Sequence, residues 1–111
     1  MPQTPNVPTV GLNAIADNDV VLDVREPDEW AAGRIDGALH VPMGAVPQRL
    51  EELPDDHRLA VICRSGGRSA RVTAYLREQG LDAVNVDGGM TAWAQAGRPM
   101  VADGDATPQV I

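Results

Sequence analysis

LAVICRSGGRSAR, residues 59–71, holds two different kinds of structure on either side of one thiol. The first part, LAVIC, is apolar without polar alternation, the pattern of a strand buried on both faces, and such strands belong to parallel sheets. The second part runs into SARVTAYLREQG (residues 69–80), where Val72, Tyr75, Leu76 and Gln79 share one helical face. Gly80 supplies the stop, and Leu81 is the apolar residue that folds back on the last turn. A buried strand feeding a helix in this way is the start of a parallel crossover.

Outward from this stretch, VVLDV (residues 20–24) and AVNV (residues 83–86) have the same β-branched, non-alternating character. A shorter strand is expected over Ala38 to Val41, stopped by Pro42. Pro27 at a first helical position, Asp28 and Glu29 in the first turn and Gly33 at the end predict a helix. VPQRLEE (residues 46–52) and GMTAWAQAG (residues 89–97) are further helical candidates. Alternation of this kind predicts an α/β fold in three layers, a central and mainly parallel sheet flanked by helices. One domain is expected over residues 9–100. Residues 1–8, with Pro2, Pro5 and Pro8, and the polar residues 101–111 are expected to be flexible segments at its ends.

The 111 residues suffice for one core and not for two. A net charge of -7 opposes nucleic acid or an anionic membrane as partner, because affinity for either rests on Lys and Arg. With no Phe, two Trp and one Tyr, stacking platforms for bases are scarce. No apolar run is long enough to span a bilayer, and MPQTPNVPTV lacks the basic start and apolar stretch of a signal peptide, so a cytoplasmic protein is expected. A single cysteine forms neither an internal disulfide nor a Cys-x-x-Cys pair, and with His40 and His57 it makes no zinc cluster, so no metal is expected. The acidic surface and the lack of an apolar stripe predict a monomer or weak homodimer.

Ligands of open parallel sheets bind beyond the carboxyl ends of the strands, which is where Cys63 falls. Gly66 and Gly67 let the backbone curl so that successive amide N–H groups converge, and Ser69 opens a helix whose unpaired N–H groups add to the same pole. Arg64 and Arg68 add full positive charge. A thiolate in this setting is favoured over the thiol, so Cys63 is expected to ionise below the roughly 8.5 of a free cysteine. The plainer alternative is a buried cysteine that ends a core strand, the commoner fate of a free thiol. Such a residue has no use for paired glycines and flanking arginines. Either arginine taken alone reads as a solvated charge, but their placement on both sides of Gly66-Gly67 favours a role.

With these residues in place, the chain resembles the rhodanese-like sulfurtransferases of the small single-domain kind, over about residues 10–100. The resemblance rests on DVREPDEW (residues 23–30), GRIDGALHVP (33–42), ELP (52–54), CRSGGRS (63–69) and GGMTAWAQAGRP (88–99), in that order. Arg34 and Asp36 stand where the family usually has histidine and proline, both outside the cysteine loop. The resemblance implies a rhodanese-like fold, no cofactor, and transfer of a sulfane sulfur from a donor such as thiosulfate to a thiophilic acceptor through a persulfide. In that scheme Cys63 is the nucleophile, Arg64 and Arg68 bind the donor anion, and Ser65, Gly66, Gly67 and Ser69 form the cradle. No second cysteine can resolve the persulfide, so the acceptor comes from outside: cyanide, a small thiol or a partner protein.

Two other classes remain to be weighed. Cysteine phosphatases and arsenate reductases place five residues between cysteine and arginine, whereas Cys63 and Arg68 have four between them, a shorter cradle that suits one sulfur better than a phosphate. Non-catalytic rhodanese-like binding modules generally lack the loop cysteine that is present here. Asp23 and Arg25 either line the pocket or hydrogen-bond loops and cap the helix after Pro27. A carboxylate beside the thiolate would raise its pKa, which favours the second reading. Asp87 reads as turn chemistry, Glu29 as dipole compensation, Trp30 and Trp93 as packing, and His40 and His57 as structural or solvated. Met43 and Met100 are gap fillers or rim residues, and Met90 is expected near the pocket mouth.

Overall fold

The structure is a computed structural model and describes residues 6–111. Among the described residues five strands are formed: β1 (Thr9–Val10), β2 (Val20–Asp23), β3 (Leu39–His40), β4 (Leu59–Ile62) and β5 (Ala83–Val86). They make one sheet in the order β1-β5-β4-β2-β3, with every pairing parallel. The helices are α1 (Pro27–Ala32), α2 (Gly67–Glu78) and α3 (Gly89–Gln95), joined by 3-10 segments at Leu12–Ala14 and Met43–Glu52. No described helix is long and apolar enough to cross a membrane.

Every residue of β4 is buried, and alternation assigns its side chains to two cores. Leu59 and Val61 meet Val72 and Leu76 of α2, together with Val46 of the second 3-10 segment and Leu53 just after it. Ala60 and Ile62 meet Val86 and Met90 on the opposite face. Each large aliphatic side chain so covered contributes about 1.5–3 kcal/mol, so two-sided burial gives this central strand twice the return of a half-solvated one. The non-alternating run in the sequence follows from that.

Several elements differ in detail from the expectations. Residues 46–52 are not an α-helix: they belong to the 3-10 segment that starts at Met43, carries Pro47 and kinks at Arg49. Pro47 has no N–H to donate, which removes one α-helical bond at that turn. Helix α2 starts at Gly67 rather than Ser69. Its end is as expected, with Gly80 at φ 85° and the Leu81 amide donating to the Leu76 carbonyl at 3.0 Å.

β1 was not legible as a strand, yet the Asn85 amide donates to the Pro8 carbonyl and the Asp87 amide to that of Val10, each at 2.8 Å. For residues 1–5 the expectation of flexibility lies outside the described residues. Residues 101–111, expected as a flexible tail, lie along the domain. Val101 bridges Arg34, the Gln109 amide donates to the Ala32 carbonyl at 2.9 Å, and Val110 packs on the second core.

Asp23 and Arg25 form a buried pair, with Arg25 Nε and Nη2 donating to both carboxylate oxygens at 2.7–3.1 Å. Arg25 Nη2 also donates to the Gly33 carbonyl at 2.7 Å, and Nη1 to that of Glu29 at 3.3 Å, so the guanidinium caps the end of α1. His40 stacks on Trp30, with ring centroids 4.5 Å apart, and its Nε2 lies 2.8 Å from the Arg25 carbonyl oxygen. His57 is exposed beside Asp56. Met90 is fully buried in the second core, not at a pocket mouth, because the first turn of α3 faces the sheet.

Candidate active site

Cys63 directly follows β4 and is 1% exposed. It continues the alternation of Leu59 and Val61, which directs its sulfur to the α2 side. The loop then turns at Gly66, whose φ of 118° is closed to most side chains, and this turn brings the Gly66 N–H to 3.1 Å from Cys63 Sγ. Two residues into α2, Ser69 places its Oγ 3.2 Å from the same sulfur. The run Arg64–Arg68 that follows is exposed or half-exposed, while Cys63 itself is buried with the first core.

Helix α3 sets the orientation of the loop. Its Met90 and Thr91 amides donate to the carbonyls of Cys63 and Arg64 at 2.8 and 2.9 Å. In a trans peptide the next N–H points the opposite way, so holding the Arg64 carbonyl against α3 turns the Ser65 amide toward the sulfur side. This approach requires Gly89, at φ 54°, because a Cβ there would strike the Cys63 carbonyl oxygen and the Arg64 backbone.

The electrostatics follow from these contacts. Burial pushes the Cys63 thiol up, but the Ser69 hydroxyl and the amides of Ser69, Gly66 and Ser65 together outweigh it, and the pKa falls below the ordinary thiol value. The direction agrees with the sequence expectation. The amide part of the expected cause agrees as well, while guanidinium charge, expected beside it, does not lead the shift.

Arg68 is turned to Glu29 of α1, donating from Nη1 and Nη2 at 2.7 and 2.9 Å. That grip holds the Glu29 carboxyl at about 2, against the opposing effect of burial, and raises Arg68 further. Arg64 is exposed, with Nε donating to the Ile111 carbonyl oxygen at 3.1 Å. The structure therefore brings Cys63, Ser65, Gly66 and Ser69 together around one sulfur, lets Gly67 begin α2, and directs Arg64 and Arg68 to partners outside the cradle. Among the described residues, no group of three or more His, Cys, Asp or Glu side chains is placed to hold a metal ion.

Sequence reasoning missed three contributors. Asn85 of β5 accepts from the Ser69 hydroxyl at 2.5 Å, and its signal was a polar residue in an otherwise apolar strand. Glu29 carries out its expected first-turn role, accepting from the Glu26 amide at 3.0 Å, and also anchors Arg68. Gly89 is the point of closest approach between α3 and the loop, a role that two adjacent glycines hint at without assigning.

Known proteins are similar to this chain in sequence and in fold. Residues 8–96 match the description of the rhodanese-like domain. The putative sulfurtransferase YtwF of Bacillus subtilis is 48% identical over 85 residues, 76% of this chain and 82% of that protein. A sulfurtransferase of Allochromatium vinosum is 46% identical over 91 residues, 79% of this chain and 85% of that one. Among solved structures, a rhodanese-related protein of Thermoplasma volcanium superposes with a TM-score of 0.81 at 33% identity, covering 86% of this chain and 99% of that one. The parallel sheet, the cysteine loop at its carboxyl edge and these matches over most of the chain lead to one assignment: the chain belongs to the rhodanese-like family.

Proposed function

We propose that the protein is a sulfurtransferase that carries a sulfane sulfur on Cys63, with thiosulfate or a related anion as donor. The observation that carries this reading is the set of polar groups on Sγ: the Gly66 and other loop amides donate to it and the Ser69 hydroxyl lies against it, which favours negative charge on a sulfur atom in a buried place. The Cys63 thiolate attacks the outer sulfur of thiosulfate, the S–S bond of the donor breaks, and sulfite leaves with its electron pair. The terminal sulfur of the resulting persulfide carries the negative charge that the same amides receive. A thiophilic acceptor then attacks that terminal sulfur, the persulfide bond breaks, and the Cys63 thiolate is restored.

Arg64, exposed at the loop, is assigned to draw in the anionic donor, and Arg68 to bind that anion when it turns from Glu29, whose carboxylate neutralises it in the resting structure. Ser65, Gly66, Gly67 and Ser69 are assigned as the cradle. Acceptors from outside fit a chain with one cysteine, and they include cyanide, a small thiol or a partner protein.

The test is intact mass after incubation with thiosulfate. Wild type should gain one sulfur atom, cyanide should remove it, and Cys63→Ser should gain none. An unchanged wild-type mass together with hydrolysis of a phosphate ester would overturn the reading in favour of a cysteine phosphatase.

A further inference from the structure

Asn85 stands where the strand pattern asks for an apolar residue. In β5, Ala83 and Asn85 share the α2 side by alternation, and Asn85 is 6% exposed. A buried amide needs partners, and its partner is the Ser69 hydroxyl at 2.5 Å, itself 3.2 Å from Cys63 Sγ. Ser69 is wholly buried as well. Three polar side chains thus form one covered chain running from β5 through α2 to the end of β4.

Ser69 has a single hydroxyl proton to give. With Asn85 Oδ1 facing it, that proton goes to the amide oxygen, and the sulfur contact is filled by the Cys63 S–H donating to Ser69 Oγ. A half-turn of the carboxamide puts Nδ2 in the same place. Asn85 then donates to Ser69 Oγ, and the Ser69 O–H is released toward Sγ, the arrangement a negative sulfur requires. The heavy atoms occupy the same positions in both states.

We infer that Asn85 is a positioning residue for Cys63, its carboxamide directing the Ser69 proton toward the sulfur when the sulfur is negative and away from it when the sulfur is protonated. This deepens the sulfur-transfer reading, in which Sγ cycles between thiolate and persulfide. The charged side chains on the surrounding elements are Arg64, Arg68, Arg71, Arg77 and Glu78 on the loop and α2, and Asp23 with Arg25 at the end of β2. To these add Glu26, Asp28 and Glu29 at α1, Asp87 after β5, and Arg49, Glu51 and Glu52 on the 3-10 segment. All are untouched by the variants below, so a change in the sulfur reports the hydrogen-bond chain.

The test is the rate of iodoacetamide alkylation of Cys63 against pH, in wild type, Ser69→Ala, Asn85→Ala and the double variant. Asn85→Ala and Ser69→Ala should each slow alkylation at neutral pH by about 3- to 10-fold and move the midpoint upward. In the Ser69→Ala background, Asn85→Ala should have no further effect, because it acts through the hydroxyl. Asn85→Asp preserves the shape if the alanine variant fails to fold. Its ionised carboxylate only accepts, so it should slow alkylation at least as much. An unmoved midpoint in the folded Asn85 variants, or an equal effect of Asn85→Ala with and without Ser69, would overturn the inference. The readout needs no sulfur donor. A wild type that takes up no sulfur defeats the transfer reading alone, and a wild type that takes up sulfur while alkylation ignores Asn85 defeats this inference alone.

Discussion

Arg68 closes both terminal nitrogens of its guanidinium on the Glu29 carboxylate and so ties the first turn of α2 to the first turn of α1, across 39 residues of sequence. The carboxylate side chain is 12% exposed and the guanidinium 29%, which places the pair between a surface ion pair and a buried one. Glu29→Gln should lower stability by about 1–2 kcal/mol, read as a shift in the urea midpoint. The same change releases Arg68 toward the donor, so the KM for thiosulfate should fall. A KM that rises would assign Glu29 to the binding of the donor.

Acid should act through the same carboxyl. The Glu29 pKa in the folded protein, about 2, lies below its ordinary 4.5, so the stabilisation is complete above pH 4.5 and is lost as pH falls through about 2. The stability difference between wild type and Glu29→Gln should therefore be constant from neutrality to about pH 5 and shrink to nothing near pH 2. Urea titrations at several pH values, with wild type and variant side by side, measure it.

Gly89→Ala should damage the loop from the side of α3. The new methyl meets the backbone of Cys63 and Arg64, and the left-handed conformation adds strain, together about 1–3 kcal/mol of stability. Displacing α3 also releases the carbonyls that orient the Ser65 amide, so sulfur uptake should slow by at least about tenfold even in protein that remains folded. Stopped uptake assays on the folded fraction, alongside a thermal melt, separate the two effects.

The Asp23 and Arg25 pair should behave as a structural unit. Arg25→Met leaves a buried carboxylate without its partner and should cost about 3–5 kcal/mol. Adding Asp23→Leu removes the stranded charge and should restore part of the loss, though not the cap on α1. A double variant less stable than Arg25→Met would contradict this account.

The central strands and the cysteine loop were legible because both are local. A run such as LAVI declares two-sided burial by itself, and the spacing of Cys63, Gly66 and Ser69 lies within one turn of chain. What escaped the sequence was pairing between distant segments. Arg68 carried the same charge whether it faced a donor or Glu29, and only the packing of α1 beside α2 decides between them. Asn85 looked like an odd letter in a strand until sheet order set it beside Ser69. Thr9 and Val10 were too few to display a period, and Val101 and Val110 too isolated in polar sequence to advertise that they pack.

Both outermost strands of the sheet, Thr9–Val10 and Leu39–His40, are only two residues long. A foreign chain seeking to extend the sheet would find almost no rim of unpaired backbone to copy, and Pro8 and Pro42 beside those rims offer no N–H at all. The architecture that holds the Cys63 loop at one end of the sheet thus leaves little edge along its sides for amyloid-like growth.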